Sequence, residues 1–207
     1  MQFPNFYAVV VASLLVDFLP MLPLQILLLN LLSDFPMIAV ATDTVDAAEL
    51  TKPKRYDIKD IALLATILGL VSTVFDFIFF GLFYKMDMEI LQTNWFIGSI
   101  LTELVFLFSV RTRLPFFKAK VPSPLVLILS ITAVVATILL PFTQMGQEIF
   151  LFTPPSKAHL LWILVVVFSY FLITEIVKLF YYRFFYHDSY SMEFSSPHMH
   201  RIKRSGI

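Results

Sequence analysis

The sequence predicts an all-α polytopic membrane protein with six transmembrane helices, the second of them broken at Pro36. Three observations carry that expectation. The 207 residues are 58% hydrophobic and only 14% charged, against roughly a quarter charged in soluble domains. The apolar residues fall in runs near the length that crosses a hydrocarbon core of about 30 Å as a helix. Lys and Arg gather in alternate loops, as they do in multi-pass proteins. The mean hydropathy of +0.82 agrees.

The first segment, about 4–21, opens in MQFPNFYAVVVASLL. It has no basic start and no small-residue cleavage site, so it reads as a span rather than a signal peptide. The second, about 23–41, follows Pro20–Pro23 directly, which leaves room only for a tight helical hairpin. The others are about 61–84, 94–110, 122–142 and 159–183. Lipid offers no hydrogen bonds, so each run must satisfy its backbone internally, and helices are expected. Trp95 and Trp162 lie near span ends, where interfacial aromatics collect. The polar stretch 187–207 is expected to be a disordered tail, leaving 1–186 as the membrane domain.

Charge predicts orientation. Lys52, Lys54, Arg55 and Lys59 share one loop, and Arg111, Arg113, Lys118 and Lys120 another. Arg183, Arg201, Lys203 and Arg204 follow the last span, whereas the alternate loops offer Lys85 and Lys157. The positive-inside rule then places both termini in the cytoplasm of a cell-membrane protein. Fifteen basic and fifteen acidic residues balance, so no nucleic-acid partner is implied. The absence of cysteine excludes disulfides and thiolate chemistry. No GxxxxGK[ST], GxSxG or HExxH occurs, and five glycines leave no phosphate-binding loop, so no ATP site is expected.

The informative stretch is LNLLSDFPMIAVATD, residues 29–43. Asn30, Ser33 and Asp34 stand at i, i+3 and i+4, on one helical face. Pro36 cannot donate to the Leu32 carbonyl, so the helix is expected to open at 32–36. Oxygen side chains beside freed carbonyls suit a hard cation, Mg²⁺ or Ca²⁺. The alternative is a proline kink with Asn and Ser joining helices by hydrogen bonds. Asp17, Asp76, Glu103 and Glu175 are further acids in or near spans. Glu175 with Lys178 at i+3 reads as a structural ion pair. For Asp76 and Glu103, packing and ion binding both stay open.

Beyond these residues, FLPMLPLQILLLNLLSDFP resembles the hairpin between the fifth and sixth membrane helices of P-type cation-transporting ATPases, in their magnesium-transporting branch, and TDTVD…KPKR resembles the loop that follows. NWFIGSILTELVFLFSVRTRLPFF resembles the eighth helix and EIVKLFYYRFF the tenth. The resemblance covers about residues 4–186 and implies helices five to ten of such a pump. It implies that Asn30, Ser33 and Asp34 are ion ligands, that Asn5 is the fifth-helix ligand, and that Mg²⁺ is the transported ion. Pro4 and Asp17 depart from the family pattern. DKTGT, TGES and GDGxNDxP do not occur. The chain alone is therefore expected to hydrolyse no ATP. It reads as a truncated ion-pathway half, partnered by the lipid bilayer, a divalent cation and the missing catalytic half of a pump. The alternatives are a non-catalytic subunit or regulator of a partner pump, or a passive cation channel or carrier.

Overall fold

The computed structural model describes residues 19–44 and 58–184, apart from the side chains at 59 and 60. All regular structure among them is helical. Six α-helices follow in order: α1 Pro23–Ala39, α2 Ile58–Phe83, α3 Met88–Val110, α4 Pro124–Leu139, α5 Gln144–Glu148 and α6 Lys157–Phe184. Three-residue 3-10 turns lie at Val40–Thr42, Phe116–Lys118 and Leu140–Phe142.

Two parts of the expected architecture are corrected. Five helices among the described residues, not six, have the length and apolarity to cross a membrane; α5 is a short turn of helix. The predicted first span lies outside the described residues except for its end at Leu19–Met21, which is not helical. The helix carrying Pro36 is not broken there either: α1 runs without interruption from Pro23 to Ala39. The irregular backbone instead lies at Leu19–Leu22, just before Pro23.

The physics of proline explains both positions. At the first helical residue, Pro23 loses nothing, because first-turn N–H groups have no intrahelical partner and its φ is already helical. Inside the helix, Pro36 removes one rung, the bond to the Leu32 carbonyl. Pro36 is buried in the bundle, and packing on both sides of a single lost rung holds the helix together.

α3 is the central helix. It packs against α1, α2, α4 and α6, and its residues from Leu91 to Thr102 are buried without a break. The other long helices turn a wide apolar face outward, such as Leu70, Val74 and Ile78 of α2 or Leu164, Phe168 and Leu172 of α6. Exposure of that extent is untenable in water but matches lipid. The molecule is a polytopic membrane protein.

Aromatic rings fill the seam between α2, α3 and α6. Phe75 meets Tyr170 edge-on at 5.1 Å, and Phe80 lies 5.8 Å from Trp95. Gly98 lets the two helices approach: a Cβ there would stand 2.5 Å from the Phe79 ring. The expected ion pair is present, with Lys178 Nζ 2.6 Å from Glu175 Oε1. The same ammonium donates to the carbonyls of Ser109 at 2.8 Å and Leu114 at 3.1 Å. A buried lysine thus satisfies acceptors at the end of α3, in place of water.

Candidate functional site

α1 positions the sequence-predicted site. Its N-terminal end is fixed by Gln25, a buried side chain: Oε1 accepts from Leu22 N–H at 3.0 Å, and Nε2 donates to the Phe150 carbonyl at 2.8 Å. One amide therefore satisfies an orphan donor at the helix start and ties α1 to the loop between α5 and α6. From this anchor the helix descends through leucines to Asn30, Ser33 and Asp34.

Asn30 and Asp34 are half-buried, and Ser33 is buried. The Ser33 hydroxyl donates to the Leu29 carbonyl at 3.0 Å, back-bonding as serines do inside helices. Its side chain also lies beside the Glu103 carboxylate of α3, and Asp34 is near enough for its charge to act on Glu103. The structure thus brings Ser33 and Asp34 together with an acid from a second helix. Asn5 lies outside the described residues, as do Asp17 and the tail 187–207. Among the described residues, no group of three or more His, Asp or Glu side chains is arranged to hold a metal ion. The arrangement is one of mixed oxygens, a carboxylate beside a hydroxyl and an amide.

The C-terminal end of α1 is held as firmly as the N-terminal end. Asp43, just past the Val40–Thr42 turn, meets Arg111 at the end of α3, with Oδ2 2.5 Å from Nη1. Asp43 Oδ1 accepts from the backbone N–H of Thr44 at 2.8 Å and of Ser123 at 2.7 Å. Arg111 also donates to the Lys120 carbonyl, and Thr44 Oγ1 to that of Val121 at 2.9 Å. Burial pushes the Asp43 carboxyl up, but the Ser123 N–H, the Arg111 guanidinium and the Thr44 N–H outweigh it. They hold the carboxyl below its ordinary value. Ser123 in turn caps α4, accepting from Val126 N–H at 3.4 Å, with Pro124 in the first helical position.

Reading the sequence missed these ties. Gln25, Gln92, Thr93 and Asn94 are polar residues inside apolar runs, and their partners are distant in sequence. Gln92 Nε2 donates to the Leu19 carbonyl at 2.7 Å, Thr93 Oγ1 accepts from Thr153 N–H at 2.9 Å, and Asn94 lies 3.3 Å from His159 Nδ1. The one available signal was their clustering in QTN, at the start of the most buried helix.

The likeness to known proteins can be set beside this geometry. Residues 18–180 match the model of the family described as "Cation transporting ATPase, C-terminus". "Magnesium-transporting ATPase, P-type 1" of Salmonella typhimurium is 31% identical over 190 residues, 88% of this chain and 21% of that protein. The protein of the same description in Escherichia coli K12 is also 31% identical, with the same coverage. A second one in Salmonella typhimurium is 28% identical over 188 residues, 87% of this chain and 20% of that protein. The chain thus spans about a fifth of the length of the relatives it matches. Matched along most of its length, the chain, with its oxygen side chains inside α1, belongs to the cation-transporting ATPase family, at the family's C-terminal region.

Proposed function

We propose that this chain forms the membrane ion pathway of an ATP-driven Mg²⁺ transporter, with Asn30, Ser33 and Asp34 as ligands and Asn5 completing the set. The Ser33–Asp34 turn carries this reading. It places an acid and a hydroxyl inside an apolar helix, with the hydroxyl against Glu103 of the central helix. Carboxylates inside membrane helices are costly and mark ion paths. Mg²⁺ prefers oxygen ligands and keeps several waters, so one acid with neutral oxygens suffices.

The printed names of the relatives supply the ion and the energy source, and the Lys and Arg loops support cytoplasmic termini in the cell membrane. Residues 1–186 then form the membrane domain. Phosphorylation and nucleotide binding fall to protein regions that this stretch of sequence does not match. Co-expression with the remaining four-fifths of a magnesium-transporting relative tests the reading. Restored Mg²⁺ uptake that Asp34→Asn abolishes at unchanged expression supports it. Uptake that persists in Asp34→Asn overturns it.

A further inference from the structure

The chain between α4 and α6 does not leave the bundle as a free loop. The span that starts at Pro124 ends at Phe142, and the next residues fold straight back onto that end. Gln147 Nε2 donates to the Pro141 carbonyl at 3.1 Å. A Cβ on Gly146 would collide with the Leu140 carbonyl, so only glycine lets α5 lie this close. Gly146 N–H donates to Thr143 Oγ1 at 3.0 Å, and Phe152 N–H donates to the Gly146 carbonyl at 3.0 Å. Gln25 of α1 holds the Phe150 carbonyl. α5 therefore stays beside the point where α4 leaves the hydrocarbon.

This braced segment turns apolar side chains outward. Met145 and Ile149 stand at i and i+4 on one side of the helical turn, and they are 58% and 53% exposed. Gln144 and Glu148, joined at 2.8 Å, occupy the polar side, and Gly146 faces α4. The exposed row of α4, Ile128, Ile131, Val135 and Leu139, recurs every three or four residues up to Phe142. α5 thus begins where a lipid-facing row ends. Leu151 is an independent sign. Its φ of 54° lies in the left-handed region, which leucine enters against steric resistance. That turn lets Phe150 and Phe152 stack at 5.8 Å and Phe152 pack on Phe96 at 4.6 Å, while the Leu151 side chain stays exposed. In water, glycine or asparagine would serve such a turn better; in lipid, the leucine side chain has a use.

We propose that residues 142–151 form an interfacial anchor that docks on the bilayer surface. α5 lies in the headgroup layer, with Met145, Ile149 and Leu151 sunk to the acyl boundary and Gln144 and Glu148 in water. An apolar side and a polar side on one turn of helix, held at the edge of the hydrocarbon, suit that layer. Continuity with the exposed row of α4 favours lipid over a protein partner as the occupant. Gln25 ties this anchor to the start of α1. The proposal is independent of which ion crosses the bundle.

The lack of native cysteine lets one nitroxide label report each position. The full chain carrying Met145→Cys, Ile149→Cys, Leu151→Cys, Gln144→Cys or Glu148→Cys, one at a time, is labelled and placed in nanodiscs of phosphatidylcholine and phosphatidylglycerol. Electron paramagnetic resonance then compares collisions with oxygen, which concentrates in lipid, and with a nickel chelate, which stays in water. Ile131→Cys and Ser156→Cys calibrate the two environments, and circular dichroism confirms that each variant is folded. The labels at 145, 149 and 151 are expected to show a several-fold higher oxygen-to-nickel ratio than those at 144 and 148. Ratios at 145, 149 and 151 that match Ser156→Cys would place α5 in water and overturn the anchor. Loss of both collision partners at those three positions would mean that protein covers the face, a second copy or another chain, and would overturn it equally.

Discussion

Arg111 and Asp43, 68 residues apart, form an ion pair 2.5 Å long whose side chains are 4% and 8% exposed. It joins the exit of α1 to the end of α3, and Asp43 also holds the Ser123 N–H at the start of α4. Breaking a buried pair strands the remaining charge. Arg111→Gln is therefore expected to destabilise the bundle by about 3 kcal/mol, read as earlier unfolding in a denaturant titration in micelles. A shift within experimental scatter would show the pair to be solvated.

The same carboxyl gives a pH dependence. Its folded pKa lies below the ordinary value, so the folded state holds the ionised form more tightly than the unfolded chain does. The resulting stability is fully present above the unfolded value of about 3.9. It disappears as pH falls through the lower, folded value. Melting temperature in acid should drop less steeply for Asp43→Asn than for the parent chain; parallel curves would remove Asp43 from the account.

Lys178 offers a different test, because it satisfies two backbone carbonyls as well as Glu175. Lys178→Met should destabilise by about 3 kcal/mol. Glu175 would keep donors in Ser109 Oγ at 2.5 Å and Phe116 N–H at 3.1 Å, but it would lose its counter-charge. Glu175→Gln in the same background should then recover part of the loss. Strict additivity in that double-mutant cycle would argue against coupling.

At the start of α1, Gln25→Leu should cost about 1–3 kcal/mol by leaving the Leu22 N–H and Phe150 carbonyl unpaired. Hydrogen exchange at residues 143–156 should accelerate more than exchange in α6. Uniform acceleration would mean that Gln25 supports the whole bundle rather than this loop.

Orientation is checked by thiol labelling, helped by the absence of native cysteine. Ala119→Cys should resist an impermeant reagent applied to intact cells, whereas Ser156→Cys should react. The reverse pattern would invert the topology.

Five of the six expected spans were legible among the described residues, because apolar runs of bilayer length have one physical solution. The Glu175–Lys178 pair was legible because its partners are one helical turn apart. Pro36 misled for an instructive reason: sequence shows the missing donor, whereas the buried packing that keeps α1 intact comes from other helices. Asn30, Ser33 and Asp34 could be placed on one face from spacing alone. Glu103 as the neighbour of Ser33 required the packing of α1 against α3, which neither helix's sequence shows by itself.

The bonds of Gln25 and Asp43 make α1 a beam clamped at both ends, by Phe150 near its start and by Arg111 and Ser123 past its finish. Its one missing rung, at Pro36 and Leu32, lies between the clamps and within a turn of Asp34. A clamped beam yields where its stiffness is least. Any force on the loop after Thr42 is therefore delivered to the stretch holding Asp34, and the clamps make a small tug at the surface into a local flexure at mid-membrane.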